Sequence, residues 1–86
     1  MYKYEDYKPE LFKEENQEEF LKLRDRVNQL IGKAGCVTMG CATSILNSDS
    51  WLLMAMVDRL VELKEIYEVK QLEEPLGQYR IFMKRN

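Results

Sequence analysis

The stretch Asn47-Ser48-Asp49-Ser50-Trp51-Leu52-Leu53-Met54-Ala55-Met56-Val57-Asp58-Arg59-Leu60-Val61-Glu62-Leu63-Lys64-Glu65-Ile66 decides the fold. Leu53, Met56, Val57 and Leu60 fall at i, i+3, i+4 and i+7, with Leu63 beside them, and this spacing predicts one apolar stripe on a helix of period 3.6. Ser48 or Asp49 can accept a backbone N–H at the start, and the charge of Asp49 suits the positive end of the helix dipole, so the helix is expected to begin near Ser50. Roughly 160 to 200 degrees round the wheel from Leu53 lie Trp51, Ala55 and Glu62, with Asp58 next to them and Met54 and Arg59 on the flanks. The outward face is not basic.

Towards the N-terminus, Cys36-Val37-Thr38 is short and β-prone. Thr38 can cap a second, shorter helix through Leu46, with Ala42, Ile45 and Leu46 on its buried side. Gly40, Thr43 and Ser44 are weak helix formers, so packing must hold that helix in place. Before it, Asn16 with Glu19 three residues on makes a capping box, and Phe20, Leu23, Val27, Leu30 and Ile31 run along one face until Gly32 and Gly35 end the helix. Its other face pairs Glu18 with Lys22 in the favourable i to i+4 order and reads as solvated surface. Residues 1–15 carry Tyr2, Tyr4 and Tyr7 among charged residues and show no sustained period; they read as a tyrosine-rich arm, anchored by Leu11 and Phe12, to a domain spanning 16–86.

Beyond the main helix, 66–72 and 79–84 read as two strands, joined by a turn that Pro75 and Gly77 supply. Tyr79, Ile81 and Met83 alternate with Arg80 and Lys84, which points Phe82 to the side of Arg80. A hairpin alone is marginal, so it should lie on the helices with Ile66 and Ile81 inward.

Length and composition set limits. Eighty-six residues, 45% hydrophobic and 33% charged, suit one globular domain with no second core. No apolar run approaches a membrane span and the N-terminus lacks a signal-like apolar segment, so no membrane contact is expected and the chain reads as cytoplasmic. Cys36 and Cys41, without any histidine, give neither a zinc quartet nor a C-x-x-C pair, and are expected to be small buried or half-buried thiols. No glycine-rich phosphate loop and no nucleophile with a base at motif spacing are present, so no enzyme, no cofactor and no small-molecule substrate is expected.

Helix, short strand, helix, turn, helix, hairpin: with Val37-Thr38 opening the second helix, Val57-Asp58-Arg59-Leu60-Val61-Glu62-Leu63 ending the third and Ile66-Tyr67-Glu68-Val69 entering a wing, the stretch from Glu19 to Lys84 resembles the winged helix-turn-helix family. The resemblance implies a single α+β winged-helix domain, ordered helix, short strand, helix, helix, strand, strand. The family usually has glycine where Lys64 stands, and a lysine in that left-handed conformation would cost about 1 kcal/mol. The resemblance also implies that the third helix enters a DNA major groove while the wing touches phosphate, as in a transcription regulator. Ser50, Trp51, Met54, Ala55 and Asp58 would then form the reading face, with Asn47, Ser50 and Arg59 reaching into the groove. Arg59, Lys70, Arg80, Lys84 and Arg85 would supply the basic patch.

The charges argue the other way. Residues 32–57 hold only Lys33 and Asp49, and residues 58–86 hold six bases and six acids, which gives counterion release little to work with. The alternative is a protein-interaction or homodimerisation module without DNA binding, in which Trp51, Met54 and Ala55, and with them Tyr2, Tyr4 and Tyr7, bury into a partner or a second copy.

Overall fold

The computed structural model describes residues 2–44, 46, 48–73 and 77–85. The long helix that frames the core, α2 (Glu14–Ala34), buries Leu23, Val27 and Ile31 at steps of four residues, as their spacing requires. It begins two residues before Asn16, because the expected capping box does not form. The Asn16 side-chain amide donates to the Glu10 carbonyl at 2.7 Å, and the Glu19 carboxylate accepts from both the backbone N–H and the hydroxyl of Ser48. Gly32 lies inside the helix. Gly35 stops it at φ 83°, a left-handed conformation open to glycine, with its N–H on the Ile31 carbonyl at 2.7 Å.

The next helix, α3 (Met39–Thr43), is shorter than the sequence suggests. Thr38 caps it, Oγ1 accepting from the Cys41 N–H at 3.2 Å, and Thr43 Oγ1 donates back to the Met39 carbonyl where it ends. Met39 and Ala42 supply its buried side; Ile45 lies outside the described residues, as do Asn47 and the turn proline Pro75.

Helix α4 (Ser50–Glu62) is built as its sequence reads. Asp49 Oδ2 accepts from the N–H groups of Trp51 and Leu52, and Leu53, Met56, Val57 and Leu60 enter the core. Lys64 follows at φ 62°, a lysine in a conformation that favours glycine, and Leu63 is exposed. Ala55 does not face outward to solvent: it is fully buried.

The element that covers it corrects the reading of residues 1–15. Tyr4–Leu11 form a helix, α1, which packs along the side of α4 away from the core. The arm is thus an ordered part of the fold, and the wheel of α4 had no means of counting this neighbour.

Strands β1 (Val37–Thr38), β2 (Ile66–Glu68) and β3 (Ile81–Lys84) form an antiparallel sheet in the order β1-β3-β2, with Val37 opposite Phe82 and Tyr67 opposite Met83. The strands are shorter than expected, and Gly77–Tyr79 is a 3-10 turn, not strand. The side chains of β3 also correct the reading. Phe82, not Ile81, is the residue sunk in the core, while Ile81 is half-buried and Met83 exposed. Among the described residues, four helices and a three-stranded antiparallel sheet thus enclose one core centred on Leu23, Val27, Met56, Val57, Leu60, Ile66 and Phe82. Among the described residues no helix is long and apolar enough to cross a membrane.

Candidate interaction surfaces

Helix α1 and Tyr2 just ahead of it meet side chains on the outward face of α4. The Tyr2 hydroxyl donates to Asp58 Oδ2 at 2.6 Å, the Tyr4 hydroxyl donates to Glu62 Oε1 at 2.9 Å, and Lys8 Nζ reaches Glu62 Oε2 at 2.9 Å. Tyr7 stands edge-on to Trp51 at 5.8 Å between centroids and stacks on Tyr2 at 5.9 Å. Trp51 and the tyrosines, which the interaction reading had burying together into a partner or a second copy, thus meet one another within one chain. Burial raises the Tyr4 phenol to about 12, helped by its bond to the Glu62 carboxylate, and burial followed by the Asp58 bond raises Tyr2 as well. Both hydroxyls keep their protons and remain donors.

Glu62 is the acceptor that Tyr4, Lys8 and Arg59 share. Lys8 first, then Arg59, with Tyr4 adding a further bond, hold its carboxyl down at about 2. A carboxylate with a depressed folded pKa stabilises the fold above its unfolded value of about 4.3, and that contribution disappears as pH falls through the folded value. The Glu62 contribution is therefore expected to fade from about pH 5 down to about pH 2. Urea midpoints measured across that window should fall less steeply in Glu62→Gln than in the parent chain.

Two of the five bases of the expected DNA patch, Arg80 and Arg59, are held by acids of the same chain. Arg80 lies over the Phe82 ring at 5.1 Å and its guanidinium bonds Asp58 at 2.7 Å and Glu68 at 2.8 Å, with only 16% of its side chain exposed. Burial works against its charge, but the Glu68 and Asp58 bonds outweigh it and raise its pKa. Arg59 pairs with Glu62 and covers the Phe12 ring at 5.2 Å. Lys70, Lys84 and Arg85 are exposed in and beyond the strands, and Ser50 is exposed at the start of α4. Met54, expected on the outward face, is half-buried; a Cβ placed on Gly77 would meet its Cε at 3.4 Å, so it packs beneath the 3-10 turn. Asn47 lies outside the described residues.

An unforeseen feature lies at the other end of α4. Leu11, Phe12, Phe20, Leu21 and Leu63, with Gln17 and Arg59 at the edge, line a groove of about 220 Å³ where α1 turns into α2. Phe12, Leu21 and Leu63 are each about half exposed. Residues 5–19, which run from α1 through the junction into α2, carry Glu5, Asp6, Glu10, Glu14, Glu15, Glu18 and Glu19 against Lys8 and Lys13, an acidic segment within a chain of net charge −2; Glu19 turns to Ser48, and Arg59 is the charged residue that lines the groove itself. Leu21 and Leu63 lie just off the apolar stripes of their helices, which is the one trace of the groove in the sequence.

Cys36 and Cys41 are exposed, against the expectation of buried thiols, and border a second apolar groove with Leu30, Ala34 and Val37. Among the described residues no group of three or more His, Cys, Asp or Glu side chains could hold a metal ion. Comparison of the chain with models of protein families, with curated proteins and with solved structures finds no match.

Proposed function

We propose that this chain is a winged-helix-like module that works by protein contact, with a basic, amphipathic segment of a partner protein as its ligand. The observation that carries the reading is that α1 covers the outward face of α4. The helix that would read a major groove presents Asp58 and Glu62 there, and both are engaged by the N-terminal segment of the same chain, Asp58 by Tyr2 and Glu62 by Tyr4 and Lys8 of α1. Arg59 and Arg80 are engaged in ion pairs, which leaves Lys70, Lys84 and Arg85 as the exposed remainder of the basic patch. The winged-helix likeness is supported by the order α2, β1, α3, α4, β2, β3 and by the central place of β3.

The groove of Phe12, Leu21 and Leu63 then supplies what the α4 face does not. An apolar concavity suits a leucine-sized anchor, and the acids of residues 5–19 favour a partner of positive charge, steering its approach in a salt-dependent way. The same acids repel duplex DNA from this end.

The test uses two probes at low salt, a lysine-leucine amphipathic peptide and a mixed-sequence duplex. The peptide is expected to bind saturably, to weaken as salt rises, and to lose at least about tenfold in affinity with Leu21→Glu, since burying one leucine is worth roughly 1.5–3 kcal/mol. The duplex is expected to show no binding. Duplex binding that weakens with salt and with Lys84→Ala or Arg85→Ala, alongside indifference to the peptide, would restore the DNA reading.

A further inference from the structure

The junction between α1 and α2 has an unusual construction. Phe12, which follows α1, stays in the helical region at φ −89° and ψ −4°, and Lys13 has φ −70°, also helical. One torsion separates two helices from one: ψ of Lys13, at 138°. Nothing local demands the break. Phe12-Lys13-Glu14 contains no glycine, proline or capping residue, Lys13 makes no side-chain cap bond, and lysine and glutamate are good helix formers.

The break is held by longer contacts. The Asn16 amide donates to the Glu10 carbonyl at 2.7 Å and the Gln17 amide donates to the Phe12 carbonyl at 3.1 Å. In a continuous helix those two carbonyls would instead accept from the backbone N–H groups of Glu14 and Asn16, so straightening leaves neither unsatisfied. The other restraints are the docking of the N-terminal segment on α4 through Tyr2, Tyr4, Tyr7 and Lys8, the burial of Leu11, and the cover of the Phe12 ring by Arg59.

We propose that α1 exchanges between two copies of this chain, by rotation at Lys13, to give a two-fold dimer in which each α1 packs on the α4 of the other copy. Helix Tyr4–Ala34 made continuous would be about 46 Å long at 1.5 Å per residue, well beyond the 32 Å long axis of the domain, so a straightened α1 stands clear of its own α4. Every α1–α4 contact is then remade with the second copy, and only the hinge and the cost of association separate the two forms. The inference does not rest on the proposed partner segment: exchange replaces Leu11 and Phe12 of the groove by the same residues of the other copy.

Two variants act in opposite directions. Glu14→Pro fixes the break, because proline suits the first position of a helix and requires the extended conformation Lys13 already has, whereas in a continuous helix, which already carries Pro9, a second proline would remove the bond to the Glu10 carbonyl and set its ring against that carbonyl. Asn16→Ala with Gln17→Ala removes the two side-chain bonds peculiar to the broken form. Light scattering on a sizing column, from micromolar to millimolar chain, is expected to show a dimer that grows with concentration. Glu14→Pro should abolish it and the double variant should raise the association constant by about tenfold or more. Circular dichroism and thermal unfolding would check that each variant is folded. A dimer that Glu14→Pro leaves intact, or a parent chain and double variant that stay monomeric throughout, would overturn the exchange. Neither result bears on peptide binding at the groove, which Glu14→Pro keeps in its monomeric form.

Discussion

Phe82→Ala is expected to lower the free energy of unfolding by about 3–5 kcal/mol, enough to leave a domain of this size largely unfolded at moderate urea. The ring is 1% exposed at the middle of the central strand, where it faces Val37 across one strand pair and Glu68 across the other. It packs in the core with Leu23, Val27, Val57 and Leu60, elements too firmly built to close over the space an alanine would leave. The loss should also weaken the seat of Arg80, whose guanidinium lies over the ring. Met83→Ala, one residue on and exposed, is the control: its change in urea midpoint should be a small fraction of that for Phe82→Ala, and the order of the two distinguishes the observed register from one shifted by a residue.

That pair of residues shows where the sequence was legible and where it was not. On α4 the apolar positions Leu53, Met56, Val57 and Leu60 admit one helical phase, and the structure uses it, down to the Asp49 cap and the left-handed lysine that follows. On β3, period two offers two phases. Tyr79, Ile81 and Met83 outnumber Phe82 only while Tyr79 is counted as strand, and it belongs instead to the 3-10 turn. Once it is removed, the larger ring decides the phase against two thinner side chains. The N-terminal segment failed for a different reason. Tyr4, Tyr7 and Leu11 do stand at helical spacing, but eight residues with charges between them hardly register as a period, and the face they bind, Trp51, Ala55, Asp58 and Glu62, looked outward from its own wheel. A helix that packs through phenol hydroxyls on carboxylates leaves a polar signature at both surfaces. The groove was hidden for the same reason: Leu21 and Leu63 join Phe12 only after α1 has turned back over α4.

Arg80→Ala is expected to destabilise the fold by about 2–3 kcal/mol, less than the loss of a partner from a fully buried pair because both of its acids keep some contact with water. The guanidinium is the joint at which the start of β3, helix α4 and strand β2 meet, through Asp58 and Glu68. Asp58 in turn accepts from the hydroxyl of Tyr2, just ahead of α1. Removing the arginine leaves Asp58 with the tyrosine alone, while the Phe82 ring loses its cover. Lysine cannot replace it, since a single ammonium does not reproduce the planar fork in which Nε and Nη2 hold both oxygens of Glu68 while Nη2 also reaches Asp58, so Arg80→Lys should recover less than half of the loss. A cycle with Asp58→Asn isolates the shared part: the double variant should be clearly more stable than the sum of the single changes predicts, because each single change already removes the same pair. These are measurements of unfolding, and that is what makes Arg80 informative about function. Were its role to meet phosphate on a duplex, Arg80→Ala would leave the urea midpoint in place and lower the salt dependence of DNA binding; a residue with its charge held between Asp58 and Glu68 should do the reverse.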